Sequence, residues 1–428
     1  MELYYSFSLL IVLATVFEYI NYRLLKLPST IGIMVIAIFV SVLLILFGEH
    51  FLPKTTNHLH RLISSVDFTE VLMGAMLNFL LFAGGIHVNI KDLKQQMRPV
   101  IIFATVGVII STFAVGIGSY YLLPLVGVKI PLIYCLVFGA LISPTDPVAV
   151  LSILKKANVS KSLETKVAGE SLFNDGVAVV MFTVILQLAV GKEVDLTVEN
   201  IFMLFFKEAG GGLLLGVILG YVASNAMKDI DDYILSVLVT LSVVMGGYLV
   251  AHSLHLSGPL TMVAAGLFMG NFNRKFTVQS VSRDYLIKFW ELIDEIMNAV
   301  LFLFIGFELL LIKNLNDYLL PGALCIITVL LARLVSIYIP TKLMERRHRF
   351  NPQTIKVLVW GGIRGGVSIA LALSIPKNDY SNIIISITYC VVVFSIVVQG
   401  LTIGKVASPH KIAQEEEKAG MAVEESGV

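Results

Sequence analysis

The chain has 428 residues, of which 57% are hydrophobic and 14% charged, and its mean hydropathy is +0.87. A soluble domain carries about 25% charged residues, so this composition excludes a disordered, fibrous or disulfide-stapled chain and argues against a water-soluble enzyme. A net charge of +1 with no basic domain argues against nucleic-acid binding. The class expected from these figures is an all-α polytopic membrane protein.

A spanning helix needs about 20 mostly apolar residues. Thirteen segments meet or approach that length: 4–25, 29–48, 69–87, 98–125, 131–155, 163–191, 198–227, 232–255, 258–272, 283–312, 317–344, 352–375 and 380–404. They are called spans 1 to 13 below. Span 1 has no basic n-region and carries Glu18, so it does not read as a signal peptide. The longest link, 49–68, holds Pro53 and three histidines and reads as an interfacial loop or short helix. Cys135, Cys325 and Cys390 each lie in an apolar run and read as buried thiols. Lys and Arg concentrate on the loops of one side, among them Lys91, Lys94, Lys155, Lys156 and the run Arg346-Arg347-His348-Arg349. The positive-inside rule then places the N-terminus outside and the C-terminus in the cytoplasm.

Ionisable residues deep in a span are costly and mark functional positions. Five stand out: Asp146 in span 5, Glu170 and Asp175 in span 6, Arg333 in span 11 and Arg364 in span 12. At about 1.5 Å of rise per residue, Asp146, Asp175, Arg333 and Arg364 all fall near mid-membrane.

Span 5 contains Ser143-Pro144-Thr145-Asp146-Pro147. Two prolines remove N–H donors and break the helix. Backbone left unpaired at that depth survives only inside protein or beside a water-filled cavity. Freed carbonyls, the Thr145 hydroxyl and the Asp146 carboxylate form an all-oxygen environment suited to a monovalent cation. The plainer alternative is a structural kink.

Span 6 reads Gly169-Glu170-Ser171-Leu172-Phe173-Asn174-Asp175. Glu170 and Asn174 share a helix face, as do Ser171 and Asp175, and the two faces are adjacent. Asn174-Asp175-Gly176 is also a turn signal, but the long apolar run after it favours a continuous helix.

Span 12 reads Gly361-Gly362-Ile363-Arg364-Gly365-Gly366. Four glycines around an arginine weaken the helix and admit close backbone approach. Spans 5 and 12 hold the same position in two six-helix halves, 1–197 and 228–404. The segment 198–227 is then a linker helix, and 405–428 a short polar cytoplasmic tail. Interrupted helices in corresponding positions of inverted halves point to an ion site in a secondary transporter, with the two breaks crossing near mid-membrane. Arg333 needs an anion at its own depth. Glu170 or Asp175 can supply it, and Glu170 is preferred because that choice leaves Asp175 free.

These motifs resemble the NhaP-type sodium/proton antiporters, prokaryotic relatives of the animal sodium/proton exchangers. The resemblance rests on Ser143 to Pro147, Gly169 to Asp175 and Gly361 to Gly365. It extends to Ser257-Gly258-Pro259 and to the stretches Phe289 to Glu291 and Asn298 to Phe302. It implies a thirteen-helix fold with inverted repeats and a homodimer in the prokaryotic inner membrane. It also implies elevator-like movement of a core domain. It assigns Na⁺ and proton binding to Asp146, Asp175, Thr145 and Ser171, and a buried pair to Glu170 and Arg333. Asn174 marks the electroneutral branch of the family. His87 stands where the family often has an acid.

The expected activity is electroneutral exchange of one Na⁺ or Li⁺ for one proton, important for pH homeostasis. Its partners are ions and membrane lipid, and no cofactor is expected. A K⁺/H⁺ antiporter of the same fold is the nearest rival. A cation channel or an intramembrane enzyme fits less well, because a channel has little use for buried countercharge and no Ser–His pair or HExxH motif occurs at matched depth.

Overall fold

The computed structural model describes residues 2–48, 71–156, 159–191, 198–228, 230, 232–275, 280–312, 315–344 and 350–407. The interfacial link 49–68, the start of span 3, the Arg346–Arg349 run and most of the polar tail lie outside these residues. Among the described residues every regular element is helical, and helices occupy all thirteen expected segments.

Eight of these helices are long and apolar enough by themselves to cross a membrane: Phe7–Leu25, Ser29–Phe47, Met97–Val126, Lys161–Ala189, Phe205–Ala226, Tyr233–Ser253, Asp317–Met344 and Ser381–Val406. Span 3 contributes the shorter apolar helix Gly74–His87. Spans 9 and 10 form the helices Gly258–Lys275 and Ser280–Glu308, the first with charged residues at its C-terminal end and the second with charged residues in its N-terminal half. Spans 5 and 12 fall short because each is broken. Span 5 divides into Leu132–Leu141 and Pro147–Lys156, and span 12 into Pro352–Trp360 and Gly366–Leu373. Span 6 is one helix, Lys161–Ala189, so Asn174-Asp175-Gly176 does not turn. The apolar residues on both sides carry the helix through it.

The chain divides into two compact units. The first comprises Met1–His87, Phe202–Leu319 and Ile369–Tyr389; the second comprises Val88–Ile201, Leu320–Ser368 and Cys390–Val428. Each unit thus draws on both halves of the sequence.

Small residues let helices approach within the first unit. A side chain at Gly266 or Gly270 in span 9 would collide with the backbone of Phe82 or Ile86 in span 3, and Gly306 of span 10 lies against Met34 and Ala37 of span 2. Trp290 is fully buried there and packs on Phe82 at 4.6 Å between ring centroids. Its indole N–H donates to Thr240 Oγ1 at 3.1 Å, which satisfies its polar atom. Helix close packing in membranes follows this small-residue rule.

In the second unit, span 4 carries Ser111 and Thr112 against the first half of span 5. A side chain at Gly139 would meet the Thr112 carbonyl. This approach brings a polar pair on span 4 to the edge of the break in span 5.

Candidate functional site

The second unit contains all five ionisable groups singled out in spans 5, 6, 11 and 12: Glu170, Asp175, Arg333 and Arg364 are buried and Asp146 is half-buried. The break in span 5 is built from its sequence. Pro144 and Pro147 lack N–H groups, and the helix stops at Leu141 and restarts at Pro147. Asp146 caps the second half. Its Oδ1 accepts from Val148 N at 2.8 Å, with Pro147 in the first helical position, where proline is favoured. The carboxylate therefore sits at the positive end of a helix dipole.

The first half of span 5 ends in free carbonyls. Arg364 of span 12 answers them, its Nη1 donating to Ser143 O at 2.5 Å and Pro144 O at 3.0 Å. The two breaks also join directly through the backbone, where Asp146 N donates to Ile363 O at 2.7 Å. The glycines of span 12 make this approach possible. A Cβ at Gly365 would collide with the Asp146 carboxylate, and one at Gly362 with the Arg333 guanidinium.

Span 6 lays its polar face on Thr145. Asn174 Nδ2 donates to Thr145 Oγ1 at 2.7 Å, Thr145 N reaches Asn174 Oδ1 at 3.4 Å, and Thr145 Oγ1 lies 3.1 Å from Ser171 Oγ. Asn174 and Ser171 thus meet one residue together, although helix faces alone paired them differently. Thr145, Ser171 and Asn174 are all buried. Ser143 completes the wall, its hydroxyl bonding Gly139 O at 2.6 Å and Ser111 Oγ at 3.0 Å.

Glu170, one turn before Asn174 on span 6, meets a different partner. Arg333 Nη1 donates to Glu170 Oε1 at 2.5 Å, while its Nε and Nη2 donate to Leu358 O at 3.2 and 2.8 Å. Glu170 is 2% exposed, so the two charges neutralise one another inside the unit. Of the two partners open to Arg333 in sequence, the structure brings Glu170 to it.

Asp175 is the exception in this arrangement. It is buried, and its Oδ1 has no hydrogen-bond partner among the described residues. Arg364 is 1% exposed, and its Nε and Nη2 likewise have none. Asp146 and Arg364 both lie near enough to act electrostatically on Asp175. The cluster therefore holds one matched ion pair, the incompletely satisfied Asp175 and Arg364, and beside them Asp146, which is half-buried and caps the second half of span 5.

Several residues that complete the site carried little sequence signal. Ser395 and Gln399 in span 13 bond the break of span 12. Ser395 Oγ accepts from Arg364 N at 2.9 Å, and Gln399 Nε2 donates to Trp360 O at 3.0 Å. A glutamine buried in an otherwise apolar span was the available clue. His87 is more local: its Nδ1 lies 2.6 Å from Ala83 O, one turn back on its own helix.

Carboxylates and arginines gathered around two helix breaks, with many apolar spans and only helices among the described residues, define a polytopic membrane protein built around an ionisable centre. The protein-family model described as "Sodium/hydrogen exchanger, transmembrane" matches residues 9–408. The chain is 46% identical over 404 residues to the Na(+)/H(+) antiporter NhaP of Pseudomonas aeruginosa, covering 92% of this chain and 94% of that one. It is 33% identical to the Na(+)/H(+) antiporter NhaH of Halobacillus aidingensis, over 89% of this chain and 91% of that one. Among solved structures, the sodium proton antiporter MjNhaP1 of Methanocaldococcus jannaschii shares its fold. The TM-score is 0.73 at 20% identity, covering 95% of this chain and 99% of that one. The chain belongs to the sodium/hydrogen exchanger family.

Proposed function

We propose that the protein is an electroneutral Na⁺(Li⁺)/H⁺ antiporter of the cell membrane, exchanging one cation for one proton at the cluster of Asp146 and Asp175. The antiporter activity named for its relatives supports the exchange reaction. The charge count of the site supports the stoichiometry. Three carboxylates, Asp146, Glu170 and Asp175, face two guanidinium groups, Arg333 and Arg364. Glu170 and Arg333 cancel. What remains is two acids against one base, a formal charge of minus one.

A buried net charge is costly, and the cost disappears when one positive charge enters. A proton on a carboxylate supplies it, and so does one monovalent cation. Both loaded forms are neutral, so each can cross the low-dielectric part of the cycle, whereas the unloaded form is held back. One site that needs one charge couples the two ions one for one. Asp175, with an oxygen that has no hydrogen-bond partner among the described residues, is the principal carrier. Asp146 shares the cation's charge, and the hydroxyls of Thr145 and Ser171 supply neutral oxygens. Asn174 contributes no charge and ties span 6 to the break; an acid there would change the count to minus two. Access alternates between sides by an elevator-like movement, in a homodimer with the N-terminus outside and the C-terminus cytoplasmic.

The test is pH-dye exchange in proteoliposomes holding wild type or Asp175→Ala, with Na⁺, Li⁺ or K⁺ added outside. Cation-driven proton movement by Na⁺ and Li⁺, absent in the variant, is expected. Coupled exchange that survives in Asp175→Ala would remove this residue from the carrier role, and exchange driven by K⁺ alone would replace Na⁺ with the rival cation.

A further inference from the structure

A continuous span 12 would carry a main-chain bond from Arg364 N–H to Trp360 O, four residues back. The break removes it. Gly361 N returns to Val357 O at 2.7 Å, and Ile363 N folds onto Gly361 O at 2.8 Å, which leaves Arg364 N and Trp360 O without each other. Buried backbone groups of this kind need partners.

Span 13 supplies them through two side chains. Arg364 N donates to Ser395 Oγ at 2.9 Å, the Ser395 hydroxyl donates to Gln399 Oε1 at 2.5 Å, and Gln399 Nε2 donates to Trp360 O at 3.0 Å. The relay starts at the donor and ends at the acceptor of the missing helix bond. Ser395 is 1% and Gln399 3% exposed, so water does not substitute. The backbone carrying both residues is itself a π-helical turn, Ser395–Gln399, a form that often occurs at functional sites. The Trp360 indole adds a second tie one turn on, donating to Thr402 Oγ1 at 2.8 Å.

We propose that Ser395 and Gln399 are positioning residues of the exchange reaction: their side chains stand in for the lost Arg364–Trp360 bond and hold the break of span 12 open. The consequence falls on Arg364. With its N–H fixed by Ser395, its side chain reaches back to Ser143 O and Pro144 O, and the Nε and Nη2 edge stays bare. Arg364 then balances one acid of the pair without occupying the cation's place. If the relay is lost, Arg364 N–H is left without its partner, the break loosens, and the guanidinium shifts relative to Asp146 and Asp175. Cation affinity and the proton competition change together, while the rate of moving a loaded site changes little.

This inference rests on the antiport reading, and the experiment separates the two. Full-length wild type, Ser395→Ala, Ser395→Thr and Gln399→Met are assayed in proteoliposomes for half-saturating Na⁺ and maximal rate across pH. Ser395→Ala and Gln399→Met are expected to raise half-saturating Na⁺ about tenfold and to displace the pH profile, with maximal rate within about threefold of wild type. Ser395→Thr keeps the hydroxyl and should behave as wild type. Unchanged half-saturation and pH profile in Ser395→Ala would overturn the proposal, as would a loss of maximal rate alone. If Gln399→Met does not fold, the Ser395 pair decides. Amide hydrogen exchange over residues 361–366 reads the holding role without transport. Faster exchange in Ser395→Ala than in Ser395→Thr supports it, and equal exchange overturns it. Absence of cation-driven exchange in wild type would sink the antiport reading and leave the hydrogen-exchange result to decide the relay.

Discussion

Replacing Arg333 with leucine strands the Glu170 carboxylate in a site where it is 2% exposed. Removing one partner of a buried ion pair costs about 3–5 kcal/mol, because the other charge is left uncompensated. Arg333 also serves Leu358 O through Nε and Nη2. That carbonyl has no helical donor, because Gly362 N bonds Val359 O instead. Losing both donors adds about 1–3 kcal/mol, so Arg333→Leu should cost about 4–8 kcal/mol in all. Glu170→Leu strands the opposite charge and should cost about 3–5 kcal/mol. The double variant strands no charge and loses only the donors to Leu358, about 1–3 kcal/mol. The order of stability is therefore wild type, double variant, then either single variant. Denaturant unfolding of the purified proteins in one detergent gives the four values of the cycle. A double variant less stable than Arg333→Leu would refute the reasoning, since the pair would then contribute independently rather than by mutual neutralisation.

Two further substitutions probe the breaks. Asp146→Asn keeps an oxygen that accepts from Val148 N and so keeps the cap of Pro147–Lys156. Its stability should stay within about 0.5 kcal/mol of wild type while cation-driven exchange is lost. A loss of folded protein in equal measure would show that the charge at position 146 serves the helix instead. Gly365→Ala places a methyl group against the Asp146 carboxylate and should lower cation-driven exchange at least about tenfold, because the carboxylate must move. Exchange at the wild-type rate would show that the approach of span 12 to Asp146 is dispensable.

The spans and both breaks were legible from elementary chemistry. Prolines flanking Asp146 and glycines flanking Arg364 cannot sustain a helix, and the long apolar runs on either side cannot avoid one. The Asp146-Pro147 pair even carried its own local structure, an N-cap followed by proline. Arg333 demands a buried anion, Glu170 is preferred because that choice leaves Asp175 free, and the packing of span 6 brings Glu170 to Arg333. The contacts of Thr145 were less legible. Helical spacing gave the faces of Ser171 and Asn174 but not the rotation of span 6 against the break. The Ser395–Gln399 relay had the weakest signal. Its meaning depends on which face of span 13 lies against span 12, and two small polar groups in an apolar span do not specify that. The division into two units was also hidden, because each unit draws on segments far apart in the chain.

The claim that one buried negative charge couples one cation to one proton is tested most directly by voltage. Proteoliposomes carry equal Na⁺ and pH on both sides, and a potential of about 100 mV is imposed with valinomycin and K⁺. Moving one net charge per cycle would gain about 2.3 kcal/mol from that potential, enough to drive a Na⁺ or pH gradient of roughly 50-fold. The account predicts no voltage-driven gradient, together with brisk exchange in the same vesicles once a Na⁺ gradient is applied. A gradient built by voltage alone, and absent in Asp175→Ala, would contradict the charge count and require a second proton in the cycle.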